Sequence, residues 1–222
     1  MTIIRVWDLP TRLFHWSITA CFAGLVITGS IGGNAMVWHF RLGYAVFTLL
    51  LFRMVWGFIG GYWSRFAAFL YAPDTVLAFL RGHRPPHATT GHNPLGALSV
   101  FAMLGFLGVQ VATGLISDDE IAFSGPLTPF VSNATVSLAT SYHKDIGRLI
   151  LLALAALHVL TVLFYLWKRR DNLIKPMVLG DKELPMQVSL ASSRDDARSR
   201  LLGVAVLAAC AGAVTAVVRL GG

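Results

Sequence analysis

Charge is what this sequence has least of. Only 13% of its 222 residues are Asp, Glu, Lys or Arg, against about 25% in an ordinary soluble domain, while 55% are hydrophobic. That balance excludes a soluble globular fold and implies a chain solvated by lipid. Cysteine is nearly absent too. Cys21 and Cys210 lie in separate apolar stretches, and the sequence holds neither a Cys-x-x-Cys-His attachment motif nor a Cys-x-x-Cys metal pair. Thiol chemistry is therefore not expected to carry the function. No small-residue cleavage site follows the first apolar run, so the first hydrophobic segment is expected to stay as a helix rather than leave as a signal peptide. No internal repeat is evident.

Against this scarcity stand five apolar windows, approximately Leu13 to Ile31, His39 to Gly60, Leu95 to Ile116, Ile146 to Trp167 and Leu201 to Val218. Each meets or approaches the ~18–20 residues needed to cross a hydrocarbon core. The formal charge of +7 would suit nucleic acid only if the basic residues shared one face, and here they sort by loop. Arg5 and Arg12 precede the first window, and Arg65, Arg81 and Arg84 lie between the second and third. Lys168, Arg169, Arg170, Lys175, Lys182, Arg194, Arg198 and Arg200 lie between the fourth and fifth. The opposite loops carry no charge over 32–38, only Asp118, Asp119 and Glu120 over 117–142, and Arg219 in the tail. The positive-inside rule then predicts a cytoplasmic N-terminus and an outer C-terminus. Tyr62 to Arg81, interrupted by Pro73 and Asp74, is expected to lie along the cytoplasmic interface. Lys168 to Arg200 is expected to be loosely ordered.

Ionisable residues at membrane depth are costly, so His15, His39, His143 and His158 are the candidates for function. Asp8 and Pro10 resemble a helix cap and a first-turn proline, which places His15 a turn or two inside the first helix. His39 opens the second. His143 and His158 share the fourth, about 22 Å and 60° apart for a regular α-helix, hence on one face. Their levels predict two pairs, His39 with His143 toward the outside and His15 with His158 toward the inside. Two facing imidazoles at each of two depths suit haem irons with both axial positions filled, which leaves electron transfer as the chemistry. Taken singly, each histidine is read as readily as an interhelical hydrogen-bonding group or a proton relay. Zinc would find too few ligands at either level.

Arg41, Lys144 and Arg148 are placed for the propionates of an outer haem, and Arg12 and Arg53 for an inner one. Snorkelling toward headgroups is the alternative for each. Arg53, inside LLLFRMVWGFIGG, is the sharpest case because an unpaired guanidinium there would be costly. His83 and His87 are read as solvated or interfacial and His92 as a start signal for the third helix. Gly24, Gly29, Gly43, Gly57, Gly105, Gly108 and Gly114 would admit a close-packed helix or a flat macrocycle equally well. Trp16, Trp38, Trp56, Trp63 and Trp167, near the window ends, are read as interfacial belts.

The ordered series VWDLPTRLFHW, HFRLGY, RMVWGFIGG, GHNPLGALSV, TGLISDDE, YHKDIG, LALHVL and NLIKPMVLGDK resembles the bacterial cytochrome b561 family, in its branch related to hydrogenase-type cytochrome b subunits. The resemblance covers roughly residues 5 to 182. It implies an all-α membrane protein of the bacterial inner membrane with a four-helix di-haem bundle, here over 1–182; outside the resemblance, the loop charges and the fifth apolar window predict a cytoplasmic linker over 183–200 and an additional transmembrane helix over 201–222. Carried over by motif, two haem b groups would be held by His15, His39, His143 and His158. Electrons would pass between a periplasmic c-type cytochrome or catalytic subunit and membrane quinone. A haem-containing anchor subunit of a larger respiratory complex and a superoxide:quinone oxidoreductase are the other roles that the resemblance allows.

Overall fold

The computed structural model describes residues 2–83, 90–184 and 190–221. Arg84 and His87, assigned above to a cytoplasmic loop, lie outside these. Among the described residues five helical stretches are long and apolar enough to cross a membrane: Leu9–Ile31, Gly33–Ile59, Pro94–Leu115, Asn133–Trp167 and Ala197–Arg219. Their flanks present Leu, Val, Ile and Phe to the surroundings, as with Phe58, Leu138, Leu160 and Val204, which only a lipid solvent tolerates on this scale. The expectation of an all-α membrane protein is met, with one small β-ribbon added.

The helices are α1 (Leu9–Ile31), α2 (Met36–Ile59), the short α3 (Pro73–Leu80), α4 (Pro94–Leu115), α5 (Asn133–Ser141), α6 (Arg148–Trp167), α7 (Ile174–Leu179) and α8 (Ala197–Arg219). A π-helical turn, Tyr142–Gly147, joins α5 to α6 without a break. The fourth apolar window opened at Ile146 because Lys144 and Asp145 lower the hydropathy before it. The helical stretch begins thirteen residues earlier, at Asn133, where Ser132 accepts the Thr135 N–H as a cap.

The chain divides into two compact units. One comprises Met1–Phe14, Arg53–Ala102 and Ala156–Val204. Here β1 (Thr2–Arg5) pairs antiparallel with β2 (Asp181–Leu184), Thr2 opposite Leu184 and Arg5 opposite Asp181. Val6, Trp7 and Trp63 form a buried cluster with Met177 and Leu190 packed on it. Gly180 ends α7 at φ 95°, and its carbonyl accepts the N–H groups of Val6 and Trp7, a left-handed stop that suits glycine.

At the centre of this unit lies Asp8, wholly buried. It caps α1 as expected, accepting Thr11 N–H at 2.8 Å. It also accepts Trp56 Nε1–H, Gly61 N–H at 2.9 Å and Ser64 Oγ–H at 2.8 Å. Trp56 and Trp63 are therefore core residues rather than members of an interfacial belt, whereas Trp16, Trp38 and Trp167 remain exposed.

Tyr62 to Arg81 is broken as expected: it forms two single turns, Tyr62–Ser64 and Phe66–Ala68, and then α3, whose first turn Pro73 occupies, where its missing N–H costs nothing. Trp63 and Phe69 upstream are buried. A further expectation needs correcting: the segment from Lys168 to Arg200, as far as it is described, is not loose. It contains α7 and β2, and Ser193 N–H donates to Arg5 O, Ser193 Oγ–H to Val6 O, and Trp63 Nε1–H to Ala191 O. Asp195 accepts Leu9 N–H and pairs with Arg5 and Arg200. The segment is held both by these polar bonds and by the apolar contacts of Met177, Leu184 and Leu190. His92 packs between Trp7 and Phe69, and Asn93 supplies the cap of α4 by accepting Gly96 N–H at 2.8 Å.

The second unit comprises His15–Phe52, Met103–Ala155 and Ala205–Gly222. Val46, Leu50, Phe52, Leu115, Ala139, Leu151, Cys210 and Val214 are buried in it. Gly32 and Gly33, both at positive φ, turn α1 into α2 within a few residues, a conformation that glycine adopts without strain. This tight turn brings the start of α2 back against the end of α1.

Candidate functional site

Two of the four predicted histidines meet in the second unit. His39, in the first turn of α2, and His143, in the π turn, have ring centroids 6.2 Å apart and planes inclined by 80°. Each ring is anchored through Nδ1. That of His39 lies 3.1 Å from Leu25 O, and that of His143 lies 2.9 Å from Gln110 O. A carbonyl oxygen can only accept, so both Nδ1 atoms carry the proton and both Nε2 atoms keep a lone pair, the form that binds a metal.

The two seats are built alike, and the sequence pattern behind them was missed above. Leu-Val-Ile-Thr-Gly over 25–29 of α1 and Gln-Val-Ala-Thr-Gly over 110–114 of α4 share Val-x-Thr-Gly. In both, the first residue offers its carbonyl to an imidazole. The threonine three residues on turns its hydroxyl proton back to the helix, Thr28 to Gly24 O at 2.7 Å and Thr113 to Val109 O at 2.8 Å. Its oxygen approaches the same Nδ1, at 3.3 Å for Thr28 and 3.4 Å for Thr113. The glycine leaves space for the ring: a Cβ at Gly29 would stand 3.0 Å from His39 Cε1, and one at Gly114 2.8 Å from His143 Cε1. Helical side chains lean over the preceding turn, so any larger residue would cover the carbonyl that holds the histidine. Two copies of four residues, without a fixed period, leave little trace in a search for repeats.

The rings face a cavity of about 540 Å³. Gly29, Gly43 and Gly114 flatten its wall, Phe22, Phe40 and Phe123 line it with aromatic faces, and Lys144 and Arg148 stand at its margin with Asp118 and Asp119. Three backbone N–H groups, of Phe123, Ala122 and Ile121, hold the Asp119 carboxyl below its usual range, assisted by the charge of Lys144. Arg41 is not among the lining residues; its guanidinium lies over Trp38 at 5.0 Å.

A planar macrocycle with a central iron fits this arrangement. Metal–imidazole bonds are about 2 Å and each ring centre lies roughly 1 Å beyond its nitrogen, so two imidazoles sharing one iron put their centroids about 6 Å apart. The observed 6.2 Å matches. Among the described residues no group of three or more His, Cys, Asp or Glu side chains could hold a metal ion, so an ion needing four protein ligands is poorly served, whereas haem brings four of its own.

The remaining predicted residues fall as follows. His15 belongs to the second unit, half-buried, its ring edge-on to Trp16 at 5.0 Å. His158 belongs to the first unit and is also half-buried. Arg53, in the first unit, is 3% exposed, with its guanidinium 4.7 Å from the Phe66 ring centre and Nη1 lacking a hydrogen bond. Arg12 donates to Val178 O. The π turn also breaks the constant rotation assumed for the fourth helix, so a uniform 100° per residue does not describe the stretch from His143 onward.

The helical membrane fold and the paired imidazoles define a protein of the membrane cytochrome b class. Residues 6–180 match the model of the family described as Prokaryotic cytochrome b561, and the chain belongs to that family. It is similar to the probable Ni/Fe-hydrogenase 1 B-type cytochrome subunit of Escherichia coli (strain K12), 25% identical over 153 residues, covering 56% of this chain and 64% of that one. Probable Ni/Fe-hydrogenase B-type cytochrome subunits of Azotobacter vinelandii and Bradyrhizobium diazoefficiens (strain JCM 10833 / BCRC 13528 / IAM 13628 / NBRC 14792 / USDA 110) are 28% identical over 127 residues and 25% over 140, covering 45% and 50% of this chain and 52% and 56% of theirs. The chain thus spans between about half and two thirds of the length of these relatives. No solved structure matches it.

Proposed function

We propose that the chain is a transmembrane electron-transfer cytochrome carrying two haem b groups. The observation that carries this reading is the His39–His143 pair, with its 6.2 Å separation and two free Nε2 lone pairs. Bound there, haem would supply one-electron transfer without an open coordination position. The protein's own part is to orient both imidazoles, keep the cavity wall flat with glycine, and offer Lys144 and Arg148 to the propionates at the margin. Arg41 would have to leave Trp38 to join them.

From the sequence alone we assign the second haem to His15 and His158. Arg53, buried with an unpaired Nη1, is a candidate to pair with that group's propionate. The loop charges support a cytoplasmic N-terminus and an outer C-terminus in the bacterial inner membrane. The partners that suit such a cytochrome are membrane quinone on one side and a periplasmic c-type cytochrome or catalytic subunit on the other, a hydrogenase being the kind that the relatives' names favour. The alternative role, anchor subunit of a larger complex, rests on those same names.

The test is a reduced-minus-oxidised absorption spectrum with haem quantitation on purified protein, followed by mixing with a quinol analogue. Two haems per chain that are reduced by the quinol are expected. A colourless protein would contradict the reading, and a coloured one inert toward quinol would favour the anchor role.

A further inference from the structure

The two imidazole seats differ at the residue whose carbonyl holds the ring. Where α1 has Leu25, α4 has Gln110, and Gln110 holds His143 twice. Its carbonyl accepts the ring N–H at 2.9 Å, and its side-chain Nε2 donates to the backbone carbonyl of His143 at 3.0 Å. Leu25, the corresponding residue of the His39 seat, has no side-chain donor to make the second bond.

The second bond lands in the π turn, Tyr142–Gly147. A π turn hydrogen-bonds from i to i+5 and so loosens the regular ladder around it; such turns recur at functional sites. A donor aimed at a carbonyl within that turn fixes a backbone that would otherwise relax toward an α-helix and rotate His143 away. Gly147, closing the turn, is buried, and a Cβ there would collide with Gln110 Oε1 and press on the Tyr142 ring. Glycine at 147 is what admits the amide. Gln110 Oε1 itself is buried and makes no hydrogen bond, so what the side-chain amide contributes here is the donation from its nitrogen.

We propose that Gln110 is the positioning residue of His143, locking the π turn through its side chain while its carbonyl sets the ring, and that the two imidazoles that would hold the iron are thereby inequivalent. The proposal rests on the reading that His39 and His143 hold one haem. The Nδ1–H bond to a carbonyl raises the basicity of a ligating imidazole and favours the ferric state. Loosening the His143 seat should therefore raise the midpoint potential of this haem and alter the relative orientation of the two imidazole planes.

The experiment is Gln110→Leu in the full chain, with Gly147→Ala as a second variant that displaces the amide without removing it. The readouts are the ferric low-spin electron paramagnetic resonance signal, a redox titration and haem content. Expected in both variants are unchanged haem content, a shifted signal from one haem and an upward shift of its midpoint, the other haem keeping its values. A Gln110→Leu protein with wild-type signal and potential overturns the proposal, because it would show that the side chain only fills space. Should that variant fail to accumulate, Gly147→Ala decides by the same two outcomes. Failure of the underlying reading looks different: the wild type itself would lack a bis-imidazole low-spin signal.

Discussion

The imidazoles of His39 and His143 stand 6.2 Å apart, centre to centre, with planes 80° from parallel. Near-perpendicular axial ligands give ferric haem a strongly anisotropic low-spin signal, whereas parallel ones give a more nearly rhombic signal. Oxidised wild-type protein should show the anisotropic kind for at least one of its haems. Electron paramagnetic resonance at low temperature checks this, and purely rhombic or high-spin spectra would argue against this pair as ligands.

Substituting the seat glycines should act through the rings. A Cβ at Gly114 meets His143 Cε1 at 2.8 Å, closer than the 3.0 Å that one at Gly29 would have to His39. Gly114→Ala should therefore lower the occupancy of this haem, or raise its midpoint, more than Gly29→Ala does. Haem titration and potentiometry on both variants test the order, and the reverse ranking would discredit the shared-seat account.

Asp8 is the polar hub of the first unit. Asp8→Ala would strand the Trp56, Gly61, Ser64 and Thr11 donors in a buried site. Buried unsatisfied groups cost about 1–3 kcal/mol each and a lost cap about 1 kcal/mol, and partial relaxation leaves an expected loss on the order of 3–5 kcal/mol. Thermal unfolding in detergent reads this out. A midpoint unchanged within about 2 °C would show that the hub is dispensable.

Acid should release the segment that leads into α8. Burial pushes the Asp195 carboxyl up, but the Arg200 hydrogen bond, Leu9 N–H and the charges of Arg200 and Arg5 outweigh it and hold the carboxyl below its ordinary value. A carboxyl with a lowered folded-state value contributes stability that is complete above the unfolded value of about 3.9 and lost as pH falls through the folded one. The wild type should lose stability below about pH 4, and Asp195→Asn should be less stable at neutral pH with a flatter acid limb. Identical acid limbs in the two proteins would remove Asp195 from the account.

Much of this was legible in the sequence, for identifiable reasons. Apolar runs locate lipid-crossing helices because hydropathy alone governs insertion, and the Asp8 cap is a local pattern. His39 and His143 could be paired because each stands near the same end of its span. The roles of Gln110, Gly114 and Gly147 were hidden: each acts on an imidazole or a turn distant in sequence. Nothing in YHKDIG announces a π turn to hydropathy or helical periodicity. Trp56 and Trp63 were misread because position near a span's end says nothing of which way a ring faces, and Asp8 turns Trp56 inward. The segment over 190–195 looked loose because most of its bonds run to residues distant in sequence, such as Arg5, Val6 and Trp63, which composition cannot register.

The most direct test of one iron held by His39 and His143 is haem content in a double-mutant cycle. His39→Ala and His143→Ala should each remove the same haem, leaving about half the wild-type content, and the double variant should lose no more than either alone because ligands of one site are not additive. A double variant that loses twice as much, or single variants that keep every haem, would contradict the central claim.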